Sequence, residues 1–437
     1  MERRFPAAAI VALGRWRRGQ EEGAIVLKRI LIKNFKSLNH VEIDLPRLVV
    51  LFGPNAAGKS NFLDALLALS RIATSRTLSD AFSEPLRGYP VEAFAFPQGG
   101  LPSLLSKDAA EFTFEADLET GKEAQYKYRV TVRIQPSSGA LSISDEYLAA
   151  LSKRGEIKGA PSIEKMEDQI RIRRKSKPAN PQRETVGLNY AIVSDPRFRG
   201  TEYRAIERCR YEMADWRTYY LDPRVAMREA KPPSDVRDIG TLGDSIAPFL
   251  FRLKAENQKH FEAVKRTLRT LIPSVQDITV DLDKRRGVLD INVKQDGREF
   301  SSRIISEGTL RVMALCAIAA NPWGGTLLAF EEPENGVHPR RLELIAELLY
   351  SLAIVQGRQV VVTTHSPLLC GSIYGKQEAR PKEIALMRVK QDESGSRIEP
   401  FRTPGPLYTE NEIAKALANG TEDNLFESLL LRGLIDE

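Results

Sequence analysis

Gly53-Pro54-Asn55-Ala56-Ala57-Gly58-Lys59-Ser60 satisfies the spacing G-x-x-x-x-G-K-[ST], and the residues on either side decide how it is read. Upstream, residues 48–52 form an uninterrupted apolar run of strand length; downstream, Phe62, Leu63, Leu66, Leu67, Leu69 and Ile72 recur at helical spacing. A buried strand, a glycine-containing loop and a helix, in that order, present backbone N–H groups at a helix N-terminus, where the helix dipole also favours negative charge. The stretch is therefore read as a phosphate-binding loop. Lys59 would reach the β- and γ-phosphates of ATP, the Ser60 hydroxyl would ligate Mg²⁺, and Asn61 would complete the nucleotide-binding set in the first turn of the helix.

Working outward, residues 25–35 alternate apolar and charged, and Val41, Ile43 and Leu45 alternate again, which predicts two half-buried strands feeding the buried one. A second block of the same flavour begins near Ser306. Residues 309–320 are almost entirely apolar and stop at Asn321-Pro322, as a buried helix ended by proline; residues 326–330 and 360–363 read as buried strands, with an amphipathic helix over 339–353 between them. Strands alternating with helices predict a mostly parallel sheet. Between the blocks, residues 112–117, 126–134 and 141–144 alternate like antiparallel strands, 247–271 read as helix, and 275–282 with 288–293 read as a hairpin. The two blocks are read as one domain split by an insertion.

The expected organisation is a disordered tail over 1–24, the N-terminal part of the head with an antiparallel β region over 25–150, an inserted basic and helical region with a hairpin over 151–304, the C-terminal part of the head over 305–403, and a helical tail over 404–437. Composition is compatible with this. The 437 residues predict about two or three domains, 42% apolar content supplies a large core, and 64 basic against 58 acidic residues leave a formal charge of +6, which demands no nucleic-acid partner. Cys209, Cys316 and Cys370 stand at no metal-ligand spacing, which points to a reducing compartment. No apolar run approaches the ~18 residues of a membrane span, so a cytoplasmic protein without membrane partner is expected. Residues 170–183 carry Arg171, Arg173, Arg174, Lys175, Lys177 and Arg183 with no acidic residue. They are either a solvated loop of the insertion or a non-sequence-specific contact for the phosphate backbone of DNA.

The apolar strand Thr326-Leu327-Leu328-Ala329-Phe330 ends in Glu331-Glu332. Beside a phosphate loop, one carboxylate at such a strand end can serve Mg²⁺ and the next can take or orient the proton of an attacking water; Glu331 is assigned the first role and Glu332 the second.

Three further segments carry a family resemblance: Ser306-Glu307-Gly308-Thr309-Leu310, Glu331-Glu332-Pro333-Glu334-Asn335-Gly336-Val337-His338-Pro339, and Val362-Thr363-Thr364-His365-Ser366-Pro367. With the phosphate loop they resemble the signature, Walker B/D-loop and switch-histidine segments of SMC-like, ABC-type ATPases. The wording is most similar to AAA-family ATPases related to the head of OLD-family nucleases. Residues 30–38 are similar to that family's opening strand, and Tyr219-Tyr220-Leu221-Asp222-Pro223 with Arg228 to a mid-chain stretch, so the resemblance covers about residues 27–403.

The resemblance implies an α/β fold, a P-loop NTPase of ABC/SMC-head type, in which two heads form a homodimer around two ATP molecules. Ser306 and Gly308 would then donate to the γ-phosphate held by the opposite subunit, and His365 would contact the γ-phosphate from the side of Glu332. There are departures. Glu331 stands where transporter ATPases usually have Asp, and Gln98, in Phe96-Pro97-Gln98-Gly99-Gly100, is assigned to the metal as a stand-in for the family's Q-loop. Lys36 is either a phosphate contact or an ordinary exposed lysine, and His338 is assigned to structure rather than chemistry. The interval from Ser60 to Ser306 disfavours a transporter subunit, and no acidic DxD cluster follows His365, so an OLD-type nuclease is not expected. Two functions are carried forward: an ATP-hydrolysing switch in DNA repair or maintenance or in antiviral defence, governing an effector protein in trans; and a slow nucleotide-binding scaffold that sequesters an effector without acting on DNA.

Overall fold

The computed structural model describes residues 26–120 and 124–401; the expected tails over 1–24 and 404–437 lie outside them. The chain opens with strands β1 (Leu27–Phe35), β2 (Leu38–Asp44) and β3 (Leu48–Phe52), then helix α1 (Lys59–Ile72). Strands β4 (Ala110–Thr120), β5 (Ala124–Gln135), β6 (Ala140–Leu151), β7 (Ile163–Met166), β8 (Gln169–Ile172) and β9 (Gln182–Thr185) follow, then α2 (Arg204–Ala214) and β10 (Arg217–Tyr219). Next come α3 (Ile246–Glu256), α4 (Gln258–Leu271), and the three-stranded sheet β11 (Val275–Asp283), β12 (Val288–Gln295) and β13 (Arg298–Ser301). The last block is α5 (Glu307–Ala319), β14 (Leu327–Glu331), α6 (Leu342–Tyr350), β15 (Gln359–Thr364), α7 (Pro367–Ala379), β16 (Ile384–Asp392) and β17 (Gly395–Pro400).

The two α/β blocks meet in one six-stranded sheet, ordered β10-β14-β15-β3-β16-β17, parallel except for β17. Its central strand explains the unbroken apolar run before the phosphate loop. Val49 and Leu51 face one core, shared with α1 and an eight-stranded antiparallel sheet. Leu48, Val50 and Phe52 face a second core, built with α3, α4 and α5. A strand covered on both faces has no solvent side and so loses the polar alternation of an antiparallel strand.

The eight-stranded sheet, β2-β1-β4-β5-β6-β7-β8-β9, runs past the boundary expected at residue 150, which falls inside β6. The basic stretch after it therefore forms edge strands of this sheet, while α3, α4 and β11–β13 pack against the other core. The helix expected over 247–271 is two helices, because Asn257, with φ −140° and ψ 61°, leaves helical geometry between them.

Two buried polar side chains join the parts. Gln359, fully buried at the start of β15, accepts from the Leu27 N–H at 2.9 Å and donates to the carbonyls of Leu27, Leu45 and Pro46 at 2.8, 3.1 and 3.2 Å, joining the parallel sheet to the antiparallel one. Glu146, fully buried in β6, accepts from the backbone N–H groups of Ile192 and Val193 at 2.6 and 2.9 Å and from the Tyr128 hydroxyl at 3.1 Å. Among the described residues no helix is long and apolar enough to cross a membrane.

Candidate nucleotide site

Parallel strands place their carboxyl ends on one side, so register alone brings distant motifs together. Phe52 pairs with Thr364 and Thr363 with Glu331, so the start of the phosphate loop, the switch segment and the Walker B carboxylates leave the sheet at one edge. With strands about 4.8 Å apart, the first and last of these lie roughly 10 Å from each other at the sheet.

The loop keeps its shape by close backbone approach. Gly53 has φ 152°, and a Cβ there would stand 2.2 Å from the Val389 carbonyl oxygen on β16. Lys59, 5% exposed, donates from Nζ to the carbonyls of Gly53 and Pro54 at 2.6 and 2.7 Å. Pro54, Asn55 and Ala56 are exposed at the tip, whereas Ala57 and Gly58 are buried. Ser60 and Asn61 open α1, half-buried, and Asn61 donates to the Ser37 hydroxyl at 2.7 Å.

The two Walker B carboxylates have different surroundings. Glu331 accepts from Arg87 Nη1 at 2.9 Å. Glu332 has a left-handed backbone, φ 42°, a conformation that costs a non-glycine residue about 1–3 kcal/mol and clusters at functional sites. Its backbone N–H donates to the Thr363 carbonyl at 3.0 Å, Asn335 Nδ2 donates to its Oε2 at 2.6 Å, and its Oε1 stands 3.2 Å from Nδ1 of His365, whose side chain is 48% exposed. Glu334 lies beneath, almost wholly buried. Thr364 donates its hydroxyl to one Glu334 oxygen, the other has no partner among the described residues, and burial holds the carboxyl above the usual range.

Ser306 caps α5 by accepting from the Thr309 N–H at 3.1 Å, and its Oγ lies 2.8 Å from the Thr309 hydroxyl. Gly308 packs on the D-loop so closely that a Cβ would lie 2.2 Å from the Gly336 carbonyl oxygen, which accounts for glycine there by space rather than by conformation. Gln98 is not brought into this group; it is exposed in the turn before the short helix Gly100–Leu105. The strand beside β14 is β10, and the residues leaving it are Tyr220, Leu221 and Asp222. His338 caps the turn Pro339–Arg341, its Nδ1 accepting from the Arg340 N–H at 3.3 Å.

A charged cluster beside the loop has no sequence motif. Asp64, fully buried one turn beyond Ser60, accepts from Lys36 Nζ at 2.6 Å, Arg87 Nη2 at 2.9 Å and the Tyr220 hydroxyl at 2.6 Å. Arg87 also lies 4.9 Å over the Tyr220 ring. Burial opposes the charge on Arg87, but Asp64 and Glu331 outweigh it and raise its pKa. Lys36 is thus a partner of Asp64 rather than an ordinary exposed lysine. An acidic residue inside the apolar pattern of α1 was the one available signal for Asp64; the Arg87 loop gave none. The three cysteines are buried, which pushes their thiols up and leaves them outside the chemistry.

The donor set suits a hard cation. Ser60 and Glu331 offer only oxygen, and among the described residues no group of three or more His, Cys, Asp or Glu side chains could hold a metal ion. The two oxygens of Ser60 and Glu331 fit Mg²⁺, which is commonly held by one or two protein oxygens together with substrate phosphates. Mg²⁺ there would offset phosphate charge.

Residues 48–371 match the family described as "AAA domain, putative AbiEii toxin, Type IV TA system". The chain belongs to this family. A 61-residue stretch of this AAA-domain chain is 36% identical to the chromosome partition protein Smc of Methanocaldococcus jannaschii, a match spanning 14% of the chain and 5% of that protein. The crystal structure of the Smc head bound to the C-winged helix domain of ScpA is similar over 86% of the chain and 98% of its own length, with a TM-score of 0.50 at 14% identity. An Smc head domain with an extended coiled coil, bound to the C-terminal domain of ScpA derived from Pyrococcus furiosus, is similar over 90% and 100%, with a TM-score of 0.49 at 12% identity. The fold class read from the sequence, an α/β P-loop fold of ABC/SMC-head type with a mostly parallel sheet, an antiparallel β region and an inserted helical region, is the fold observed.

Proposed function

We propose that the chain binds ATP with Mg²⁺ and hydrolyses it as a head dimer, working as a nucleotide-driven switch in DNA repair or maintenance or in antiviral defence. The observation that carries this reading is the pairing of Glu332 with His365 at 3.2 Å beside the phosphate loop, one residue on each of two neighbouring strand ends. Glu332 is the proton acceptor for the attacking water, a role that needs a carboxylate held in place and open to solvent. Asn335 fixes one of its oxygens, and His365 would orient the other and contact the γ-phosphate. Lys59 would hold phosphate oxygens in place of the two loop carbonyls, and Ser60 and Glu331 would hold Mg²⁺, which would offset phosphate charge. Ser306 and Gly308 act on the nucleotide of the opposite head. The effector is a protein in trans.

For DNA, the structure divides the basic stretch. Arg173 is spent on Glu164 and on the Pro161 carbonyl, 2.7 Å away, and Arg171 and Arg183 face each other across β8 and β9. Lys175 and Lys177 are exposed between those strands. They are the proposed phosphate-backbone contacts, without sequence reading. The deciding experiment measures ATP turnover and molecular mass for the wild type and Glu332→Gln, with and without duplex DNA. The variant is expected to bind ATP, to turn it over at least about 100-fold more slowly and to accumulate as a dimer. Unchanged turnover would remove Glu332 from the mechanism.

A further inference from the structure

The loop 222–228 leaves the carboxyl end of β10, the edge strand of the parallel sheet, and so emerges on the side where the phosphate loop, Glu331 and His365 stand. It is braced twice. The Asp222 carboxylate accepts from the backbone N–H groups of Arg224, Val225 and Ala226 at 3.0, 3.2 and 3.3 Å. Arg228 donates to the carbonyls of Pro223, Ser302, Arg303 and Ile305 at 2.8, 3.1, 2.5 and 2.8 Å, which ties the loop to the residues leading into Ser306.

From this frame three side chains project outward: Arg224, 79% exposed, and Val225 and Ile304, each 71% exposed. Arg224 meets Glu307 alone, Nε lying 3.1 and 3.2 Å from the two carboxylate oxygens, and its terminal amino groups make no hydrogen bond among the described residues. Arg87 gives the contrast. It turns inward, onto Asp64 and Glu331 of its own site, whereas Arg224 stands with residues 306–308 and has no ion pair with the carboxylates of that site.

We propose that the edge made by loop 222–228 and residues 302–306 docks on the nucleotide-loaded phosphate loop of a second copy of this chain, with Arg224 leaving Glu307 for that copy's triphosphate. Two β-branched side chains held out on braced loops beside a cation make a surface that lacks a cover. The chain's own loop face supplies the matching one. A bound triphosphate is strongly anionic, and the rim beside it carries apolar surface among polar groups: Pro54 and Pro367 line a 290 Å³ cleft with Asn55, His365 and Ser366, and Leu368 is 39% exposed next to them. A twofold axis makes both contacts twice, edge to rim and rim to edge. Arg224 is then an arginine supplied in trans, adding positive charge to the transferring phosphoryl group. The inference rests on the nucleotide-sandwich reading above and adds the residue that enters from across.

Mixing two variants of the full-length chain, Arg224→Ala and Lys59→Ala, tests it. Only in a mixed dimer does one site combine an intact phosphate loop from the first with an intact Arg224 from the second. Each variant alone is expected to show less than about 1% of wild-type turnover. The equimolar mixture should recover about a quarter, because half of the dimers are mixed and each holds one complete site. A mixture no more active than its parts, or full turnover by Arg224→Ala alone, overturns the proposal. The double substitution Val225→Asp with Ile304→Asp should abolish the ATP-dependent dimer while leaving calorimetric ATP affinity within about twofold; an unchanged dimer overturns the docking edge. Failure of the wild type to bind ATP in that calorimetry would bring down the nucleotide reading itself, a result distinct from all of these.

Discussion

Glu332 and Glu146 are both glutamates held by neighbouring donors, in opposite regions of the molecule. Glu332 stands at the carboxyl edge of the parallel sheet, on left-handed backbone, with one oxygen on Asn335 and the other facing a half-exposed histidine. Glu146 is sealed inside the antiparallel lobe, where burial pushes its pKa to about 7 against the pull of two backbone N–H groups and the Tyr128 hydroxyl. The two carboxyls pushed to about 7, Glu146 and Glu212, therefore stand away from the candidate site, where Glu334 is raised by burial as well. Perturbation by desolvation alone, with every oxygen engaged and no cleft, marks a structural group; strain with accessible neighbours marks a functional one.

Three measurements would break or sharpen this contrast. His365→Ala should lower ATP turnover by about 100-fold or more while changing stability by less than about 0.5 kcal/mol, measured by steady-state assay and denaturant unfolding. If stability collapsed, the edge would be structural as well. Glu146→Ala should do the opposite. It strands two backbone N–H groups and a hydroxyl in a dry interior, costing about 3–4 kcal/mol of stability, with turnover per folded molecule unchanged. The smallest effect is on pH dependence. Glu146 has its pKa raised from 4.5 in the unfolded chain to about 7 in the fold, so the native state binds the extra proton between those values. Stability contributed by this group is then full well below the lower value and falls by about 3 kcal/mol in all as pH rises to just above 7, about 2 kcal/mol of it between pH 5 and pH 7; Glu146→Ala should remove that slope.

What could be read from the sequence follows the range of the interactions. The phosphate loop is contiguous, and its strand and helix announce themselves by apolar run and period. That the start of the phosphate loop, Glu331 and the segment before His365 leave the sheet at one edge could be anticipated because parallel strands carry their ends to one side. Arg87 could not, since its loop has no periodicity and its partners, Asp64 and Glu331, lie 23 and 244 residues away. The placing of Gln98 relied on a Gly-flanked turn, whereas neighbourhood in the sheet is set by β10, a strand of only three residues. The boundary drawn at residue 150 cut the sheet, because strands β7 to β9 are too short and too polar at their exposed faces to show that it continues.

The carboxamide of Gln359 binds backbone from two places in the chain, at residue 27 and at residues 45 and 46, and belongs to the strand that ends in Thr364, next to His365. One side chain thus acts as a keystone, and its removal would orphan four main-chain groups at once. A force applied at the histidine end of that strand is delivered, six residues back, to the root of the other sheet.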